Sequence, residues 1–600
     1  MAFITTAELR PSYDVIVVGS GAAGGQSAYT LTMEGARVLL LEAGRAYDPT
    51  RETPMFQENF QGPLRAENTP DKPYGFYDAT VGGGWNVPGE PYTQAFQDPA
   101  RQMMWWRSRM LGGRTNHWSR IALRHGPYDF KPRSRDGLGF DWPVDYAEIA
   151  PYYDRVEQLI GVYGTNESLE NIPTSSPGVL LPPPPMRVNE RLVQKHAKAL
   201  GLPVIAARRA VLSRRLDSAS LPAKLHPGNQ RAQRILAEAM DGRAACFWAT
   251  QCERGCSIKA NYQSPTVHLP PALATGNLDI LTDAMACKVE VNTRGRADAV
   301  VFIDKKSGLE HRVPARAVVL AAGAYESVRL LLNSRSSAFP EGIGNDHGLV
   351  GRYIMNTVGS RLSGQIPALE NIPPHNEDGA GGVHAYVPWW QHGAYQAGKL
   401  DFARGYHIEF GGGRGMPSLG TGEGIAQMSA AGYGKKFKAD ARRYYGSFIG
   451  FAGRGEMIPN DDSRCEIDPK IRDRWGIPVL RFRWKWSAHE LKQAEHMQQT
   501  FADLIEAMGG RVLDRHPLST EGAIQPGGRV IHEVGGAIMG EEAAKSVLNR
   551  WGQVWTTPNV IVADGAAFCS SPDKNPTLTI MALAWRAADH LLAEMQRQSV

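Results

Sequence analysis

"YDVIVVGSGAAGGQSAYTLTMEGARVLLLEAG", residues 13–44, runs from a short β-branched stretch through a cluster of glycines to a second apolar stretch. Both "DVIVV" (14–18) and "RVLLL" (37–41) have the nearly unbroken apolar character of strands buried on both faces. Between them Gly19-Ser20-Gly21-Ala22-Ala23-Gly24 spells G-x-G-x-x-G, and a helix is predicted from about Ala22 to Glu34. Glu42 ends the second strand, 23 residues after Gly19. A strand, glycine turn, helix, strand and acid in that order make a whole dinucleotide-binding βαβ unit. Gly19 supplies the tight turn. Gly21 lets the main chain approach a pyrophosphate, whose charge sits at the helix N-terminus beside Ala22 and Ala23. Gly24 allows close helix–strand packing, and Glu42 accepts hydrogen bonds from a ribose. The unit alone does not separate NAD from FAD; its place at the start of the chain and the residues at the far end favour FAD.

The bulk composition agrees with a folded globular protein. Of 600 residues, 42% are apolar and 21% charged, as in globular domains. Lys and Arg (66) barely exceed Asp and Glu (61), which speaks against a nucleic-acid partner, since that requires a clustered basic face. The runs "ARRAVLSRR" (207–215) and "PRSRD" (132–136) read as solvated charged faces. No apolar stretch approaches the roughly 20 residues that cross a bilayer, so the chain is not expected to be an integral membrane protein. "MAFITTAELRPSYD" carries no charged segment followed by an apolar core, so no secretory signal is expected in it.

At the other end, "NVIVAD" (559–564) reads as another buried strand, closing on Asp564. "NPTLTIMALAWRAADHLL" (575–592) reads as a long helix with Asn575 near its N-cap, Pro576 at its first position and Thr577 in its first turn. Such an N-terminus favours negative charge. Upstream, "HEVGGAIMG" (532–540) sets one histidine before a run of small residues.

These segments, with "LGGRTNHWSR" (111–120) and "AVVLAAGAYESVRLLLNS" (317–334), resemble the glucose–methanol–choline (GMC) oxidoreductases, FAD enzymes that oxidise alcohols. The resemblance runs from residue 13 to residue 595. It implies an α/β fold in which a Rossmann-like FAD-binding lobe (10–125, 225–335 and 525–600) interleaves with an antiparallel-sheet substrate lobe (126–224 and 336–524). It implies His532 as the base and Asn575 as its partner. A near-neutral imidazole suits removal of a hydroxyl proton, a carboxamide suits holding the developing alkoxide, and the hydride goes to flavin N5. The FAD contacts it implies, beyond the glycine turn and Glu42, are Gly112, Gly113, Asn116, His117, Val289, Ala322, Asp564, Asn575 and Thr577. In pyranose oxidases a histidine in a Thr-His-Trp context is bonded covalently to the flavin. Here Asn116 stands where that threonine would be, so His117 reads either as the attachment point or as a hydrogen-bonding wall residue.

Three of the six cysteines, Cys246, Cys252 and Cys256, form a C-x5-C-x3-C. That spacing suits a soft metal or an iron–sulfur cluster. No fourth zinc ligand is evident, and three buried thiols, or one disulfide with a spare, satisfy it equally. One branch of the family, the bacterial FAD-dependent sugar dehydrogenases that include the glucoside 3-dehydrogenases, carries a three-iron cluster on a similar segment. "ERGCSIKANYQSPTVHLPPAL" (253–273) is similar to it as well. The resemblance therefore implies a 3Fe-4S cluster on these cysteines and oxidation of a secondary ring hydroxyl, at C3 of a glucoside or free sugar. It also implies a cytochrome-type acceptor and a small signal-bearing subunit that carries the chain to the periplasm; a cytoplasmic enzyme is the alternative. Competing readings are a pyranose or glycoside oxidase that uses dioxygen, and a flavin-carrying electron-transfer subunit without its own substrate. Cys287, Cys465 and Cys569 read as packing residues.

Elsewhere, "SSPGVLLPPPPMRVN" (175–189) reads as a stiff connector, and glycine-rich "EFGGGRGMPSLGTGEGIAQ" (409–427) as a mobile loop or lid. "VLRFRWKW" (479–486) alternates like a strand of the antiparallel floor, and Ser487 is the expected cap of the next helix. "MMWW" (103–106) and "YVPWWQ" (386–391) read as core or as sugar-stacking faces, and Asn261, Gln263 and His268 as facing substrate.

Overall fold

The computed structural model describes residues 3–52, 83–248, 252, 256–372, 383–413, 421–429, 432–513 and 523–597. Seven strands of its largest sheet are β1 (Tyr13–Val18), β2 (Val38–Leu41), β3 (Leu278–Leu281), β4 (Ala284–Val291), β5 (Ala297–Asp304), β6 (Glu310–Leu320) and β7 (Thr557–Val562). The parallel part runs in the order β7-β6-β1-β2-β3. The first half of β6 leaves it to pair antiparallel with β5, which pairs with β4. Helix α1 (Ala22–Met33) is buried along nearly its whole length, between the sheet and a long C-terminal helix. Its sequence has no polar stripe for this reason: a helix covered on all sides needs none. Helix α2 (Ala324–Asn333) follows β6, and helix α3 (Thr577–Gln596) follows β7.

The second sheet is antiparallel and takes its six strands in the order 511–513, 358–365, 448–455, 406–412, 385–387 and 205–206. Helix Ala488–Ala507 packs on it, and Ser487 is its cap, accepting the His489 N–H at 3.2 Å. The α/β architecture is as expected, a parallel nucleotide-type sheet beside an antiparallel one.

Several expectations need correcting. Pro478–Arg483 is a strand, but it belongs to a small third sheet with Arg464–Arg472 and Thr93–Gln94, not to the six-stranded floor. Alternation reports one dry and one wet face and says nothing of which sheet takes the strand. The C-terminal helix begins at Thr577 with Pro576 as its N-cap, one residue later than predicted. Within the supposed lid, 409–412 closes a strand and Thr421–Met428 is a helix, while 414–420 lies outside the described residues. The basic runs are not simply solvated: Arg208 and Arg209 are buried. Arg208 donates to the carbonyl of Pro173 at 2.8 Å and Arg209 to that of Ser119 at 3.0 Å. Arg135 pairs with buried Glu456 at 3.1 Å. A guanidinium with five donors can satisfy several loop carbonyls at once, which charge counting along a sequence does not reveal. Among the described residues no helix is long and apolar enough to cross a membrane.

Candidate active site

A cavity of about 500 Å³ opens at the C-terminal ends of β1, β2, β6 and β7, where open parallel sheets hold their ligands. The glycine turn after β1 forms one wall, with Gly19, Gly21, Ala22 and Ala23 lining it. Gly19 has φ +98°, and a Cβ there would stand 2.4 Å from the Ala321 carbonyl oxygen. A Cβ on Gly24 would come within 1.8 Å of the Gly19 oxygen, so Gly24 serves helix–strand contact behind the cavity rather than the cavity itself. Among the described residues, and apart from its two chain neighbours, Gly21 has nothing within 4 Å of where its Cβ would be.

Glu42 reaches the cavity from the end of β2. Its carboxylate accepts the Ser20 hydroxyl, the Ser20 N–H at 3.1 Å and the Gly44 N–H at 2.7 Å. Burial raises its pKa against those bonds. Ala322 and Asp564 line the cavity after β6 and β7, and Asp564 ties the two ends together by accepting from Gly323 N at 3.0 Å and Ser327 Oγ at 2.6 Å.

Opposite lies the 111–118 segment. Gly113 and His117 line the cavity. Gly112 and Asn116 do not; they brace the turn, Gly112 N donating to Ser20 Oγ at 2.8 Å and Asn116 Nδ2 to the Leu111 carbonyl at 2.9 Å. His117 Nε2 accepts the Trp106 indole N–H at 3.1 Å, which leaves the ring proton on Nδ1. Burial, with Arg120 and Arg114 nearby, pushes its pKa down to about 3. Val289 is also off the cavity. It is buried in β4 and its N–H is taken by Ser334 Oγ at 2.9 Å; the β4 residues that line the cavity are 284–287, Cys287 among them.

Asn575 and Thr577, at the start of α3, and His532, before the small-residue run, complete the lining. The chain between 535 and 565 folds back so that Gly535 N bonds to the Gly565 carbonyl at 2.8 Å. His532 and Asn575 are thereby brought together, Nε2 to Nδ2, at 3.3 Å. The amide nitrogen can only donate, so Nε2 carries the lone pair and Nδ1–H points to Thr357 Oγ1 at 3.0 Å. Burial is the main cause that drives the His532 pKa down to about 3, Arg454 adding to it. The imidazole is therefore neutral. Beside it Glu533 is ion-paired with Arg114, which locks the 111–118 segment to this wall. Thr357 carries no sequence signal that marks it out.

Asn261, Gln263 and His268 do not face the cavity. Gln263 Nε2 donates to the Asn116 carbonyl at 3.1 Å, Asn261 Nδ2 to the Cys252 carbonyl at 3.0 Å, and His268 bonds to the Tyr262 hydroxyl at 3.1 Å. They are buried supports, as polar residues inside a core must be. Trp105 and Trp106 do line the cavity, whereas Trp389 and Trp390 line a separate one of about 470 Å³ that shares none of the described residues with it.

No disulfide joins any two of the six cysteines. Cys252 and Cys256 are buried, and Cys246 packs against the hydrophobic groups of both. Cys246 Sγ accepts the Trp248 N–H at 3.4 Å and Cys256 Sγ the Ala260 N–H at 3.2 Å. Burial pushes the Cys246 thiol up to about 12, and the other two cysteines add to the rise. Cys465 and Cys569 are buried among core residues as expected of packing thiols.

Comparison with known proteins agrees with this geometry. Residues 14–358 match the family described as FAD binding domain, and residues 459–584 match that described as GMC oxidoreductase. The fructose dehydrogenase large subunit of Gluconobacter japonicus is 27% identical over 600 residues, covering 98% of this chain and 99% of that protein. A C-glycoside 3-oxidase of Arthrobacter globiformis is 26% identical over 330 residues, 53% of this chain and 54% of its own. In three dimensions the formate oxidase of Aspergillus oryzae superposes with a TM-score of 0.62 at 14% identity, over 98% of this chain and 100% of that one, a likeness of fold. The FAD-type cradle, the second sheet facing it and both family matches lead to one conclusion: the chain belongs to the GMC oxidoreductases, FAD-dependent enzymes that oxidise CH–OH groups.

Proposed function

We propose that the chain is the catalytic subunit of a sugar dehydrogenase that takes a secondary ring hydroxyl, at C3 of a glucoside or free sugar, to the ketone. The observation that carries this reading is the neutral His532 Nε2 held 3.3 Å from Asn575 Nδ2 in the wall of the cofactor cavity. The residues fit FAD: the open face at Gly21, the α1 N-terminus behind it and the acidic end of β2 are what a pyrophosphate and ribose require. FAD, when bound, accepts the hydride from the carbinol carbon. Everything else falls to the protein. The donor-only nitrogen of Asn575 selects the tautomer that leaves Nε2 basic, and Thr357 accepts the Nδ1–H. Nε2 takes the hydroxyl proton; the Asn575 N–H that had pointed at its lone pair is then free to donate to the alkoxide oxygen.

The sign of the pH dependence follows. The base must be unprotonated, and its pKa lies near about 3 rather than 6.5. On lowering the pH from 7 to 5, kcat/KM should stay level, where an ordinary imidazole would lose most of its activity. A pH–rate profile with an acid limb near 6.5 would contradict the assignment.

The three cysteines suit a 3Fe-4S cluster: soft donors on one short segment, with backbone N–H groups on two sulfurs and Arg209 and Arg243 close enough to offset negative charge. Such a cluster, when bound, passes electrons singly. The segment is tied to the cavity wall through Asn261 and Tyr262, whose carbonyl accepts from Trp118 Nε1 at 3.3 Å, and Trp118 lines the cavity. The reading includes a cytochrome-type acceptor and a small signal-bearing subunit with export to the periplasm; that a relative is named as a large subunit supports a multi-subunit enzyme. The test is an iron and acid-labile sulfide assay on anaerobically purified protein. Iron and sulfide should be present, and Cys256→Ser should lose them while keeping its flavin and its bleaching by sugar. Flavin without iron, reoxidised rapidly by air, would favour the second reading, an oxidase, which the name of the C-glycoside 3-oxidase relative supports.

A further inference from the structure

Strand 406–412 of the second sheet carries His407 and Glu409 two residues apart, hence on one face. Both are buried. Glu409 Oε1 lies 3.4 Å from Asn575 Nδ2 and 3.5 Å from His407 Nε2, and Glu409 Oε2 lies 2.8 Å from Arg454. On its other side His407 Nδ1 lies 3.3 Å from Asp573 Oδ2. The strand therefore grips the 573–575 segment at two points, through an ion pair at Asp573 and through the carboxamide at Asn575. Burial opposes ionisation of Glu409, but Arg454 and His407 outweigh it and hold it well below the usual carboxylate range. Burial likewise opposes a charge on His407, and Asp573 and Glu409 overcome it and raise its pKa.

An amide side chain has two ends of similar size and opposite polarity. Here one carboxylate oxygen and one imidazole lone pair both face its nitrogen. Turning the amide over would set its oxygen against the carboxylate, and would keep a hydrogen bond to His532 only if the imidazole moved its proton to Nε2. The orientation of Asn575 is thus dictated by a charge that never meets the substrate, and through Asn575 so is the choice of the His532 nitrogen that is basic.

We infer that Glu409, held in place by Arg454 and His407, is a positioning residue that fixes the carboxamide of Asn575 and thereby presents His532 Nε2 as the base. The inference rests on the base assignment proposed above. Glu409→Gln keeps the shape but offers either polarity to Asn575, so the amide loses its fixed direction. It should lower kcat about 10- to 100-fold, in the range for a misdirected donor, with KM changed less than about threefold. The loss should vanish when Asn575 is already absent: Glu409→Gln with Asn575→Ala should be no slower than Asn575→Ala alone, because two residues acting as one unit are not additive. Glu409→Asp keeps the buried negative charge that balances Arg454 and His407 but shortens its reach by one methylene, so the carboxylate draws back from Asn575; it serves if the glutamine variant does not fold, and should lower kcat in the same direction. Flavin absorbance and thermal unfolding verify that each variant is folded and loaded. Full turnover in Glu409→Asp, or additive losses in the double variant, overturns the inference. Failure of the base assignment itself looks different: His532→Ala would then keep its turnover whatever the cycle shows.

Discussion

His532→Ala should bleach its flavin about a thousandfold more slowly than the parent enzyme when mixed anaerobically with sugar. A positioned general base contributes roughly 10²–10⁴ in rate, and a thousandfold loss corresponds to about 4 kcal/mol of barrier. The middle of that range is expected because the other acids and the histidine that line the cavity among the described residues all have partners of their own. Glu533 is consumed by its ion pair with Arg114, and His117 has its basic nitrogen taken by Trp106. Cofactor loading should be unchanged, since the glycine turn, Glu42 and Asp564 that form the cradle come from other elements. Rate should return as the pH is raised and hydroxide takes over the proton. A variant that bleaches at the parent rate would leave the chain as a carrier of flavin without substrate chemistry of its own, the reading least compatible with a histidine kept neutral in the cavity.

What could be read in the sequence was what is local or dense. The βαβ unit occupies consecutive residues, so its strand, turn, helix and acid report on one another, and α1, β1 and β2 fall within a residue or two of expectation. His532 and Asn575 are 43 positions apart, and only the pattern of a family, not any spacing, joins them. Residues whose meaning lies in a distant partner carry no such local signal. Arg208 and Arg209 looked like solvated charge until loop carbonyls surrounded them. Asn261, Gln263 and His268 looked available to substrate until Cys252, Asn116 and Tyr262 claimed them. Val289 was expected at the cofactor, yet its amide belongs to Ser334. The sequence alone puts Glu409 in a loop, because the glycines that follow it dominate the stretch. The signal that would have found it is an acid and a histidine two apart within apolar "YHIEF" (406–410), a pattern a buried strand tolerates only when each charge has a partner.

Substitutions of Gly24 and Gly21 should both empty the cofactor site, for opposite reasons that experiment can separate. A side chain on Gly24 meets the Gly19 carbonyl oxygen at 1.8 Å and Ala321 Cβ at 3.4 Å. Backbone cannot swing aside as a flexible side chain can, so Gly24→Val must lift α1 off β1. Overpacking of this kind costs at least about 1–3 kcal/mol, and the helix N-terminus moves away from where the pyrophosphate sits. The purified protein should be colourless and its apo form should unfold several degrees lower than the parent apo-protein. Gly21→Ala strains nothing: its φ is −69°, and among the described residues beyond its chain neighbours no atom lies within 4 Å of the added methyl. Its apo form should unfold at the parent temperature. The methyl instead occupies the gap that the protein keeps clear at the mouth of α1, and a cofactor pressed against that main chain cannot share it. Flavin-to-protein absorbance should therefore fall sharply in a variant whose own fold is intact. Normal loading of Gly21→Ala would mean that the pyrophosphate does not lie against this turn, and the cradle would have to be sought along another part of the cavity wall.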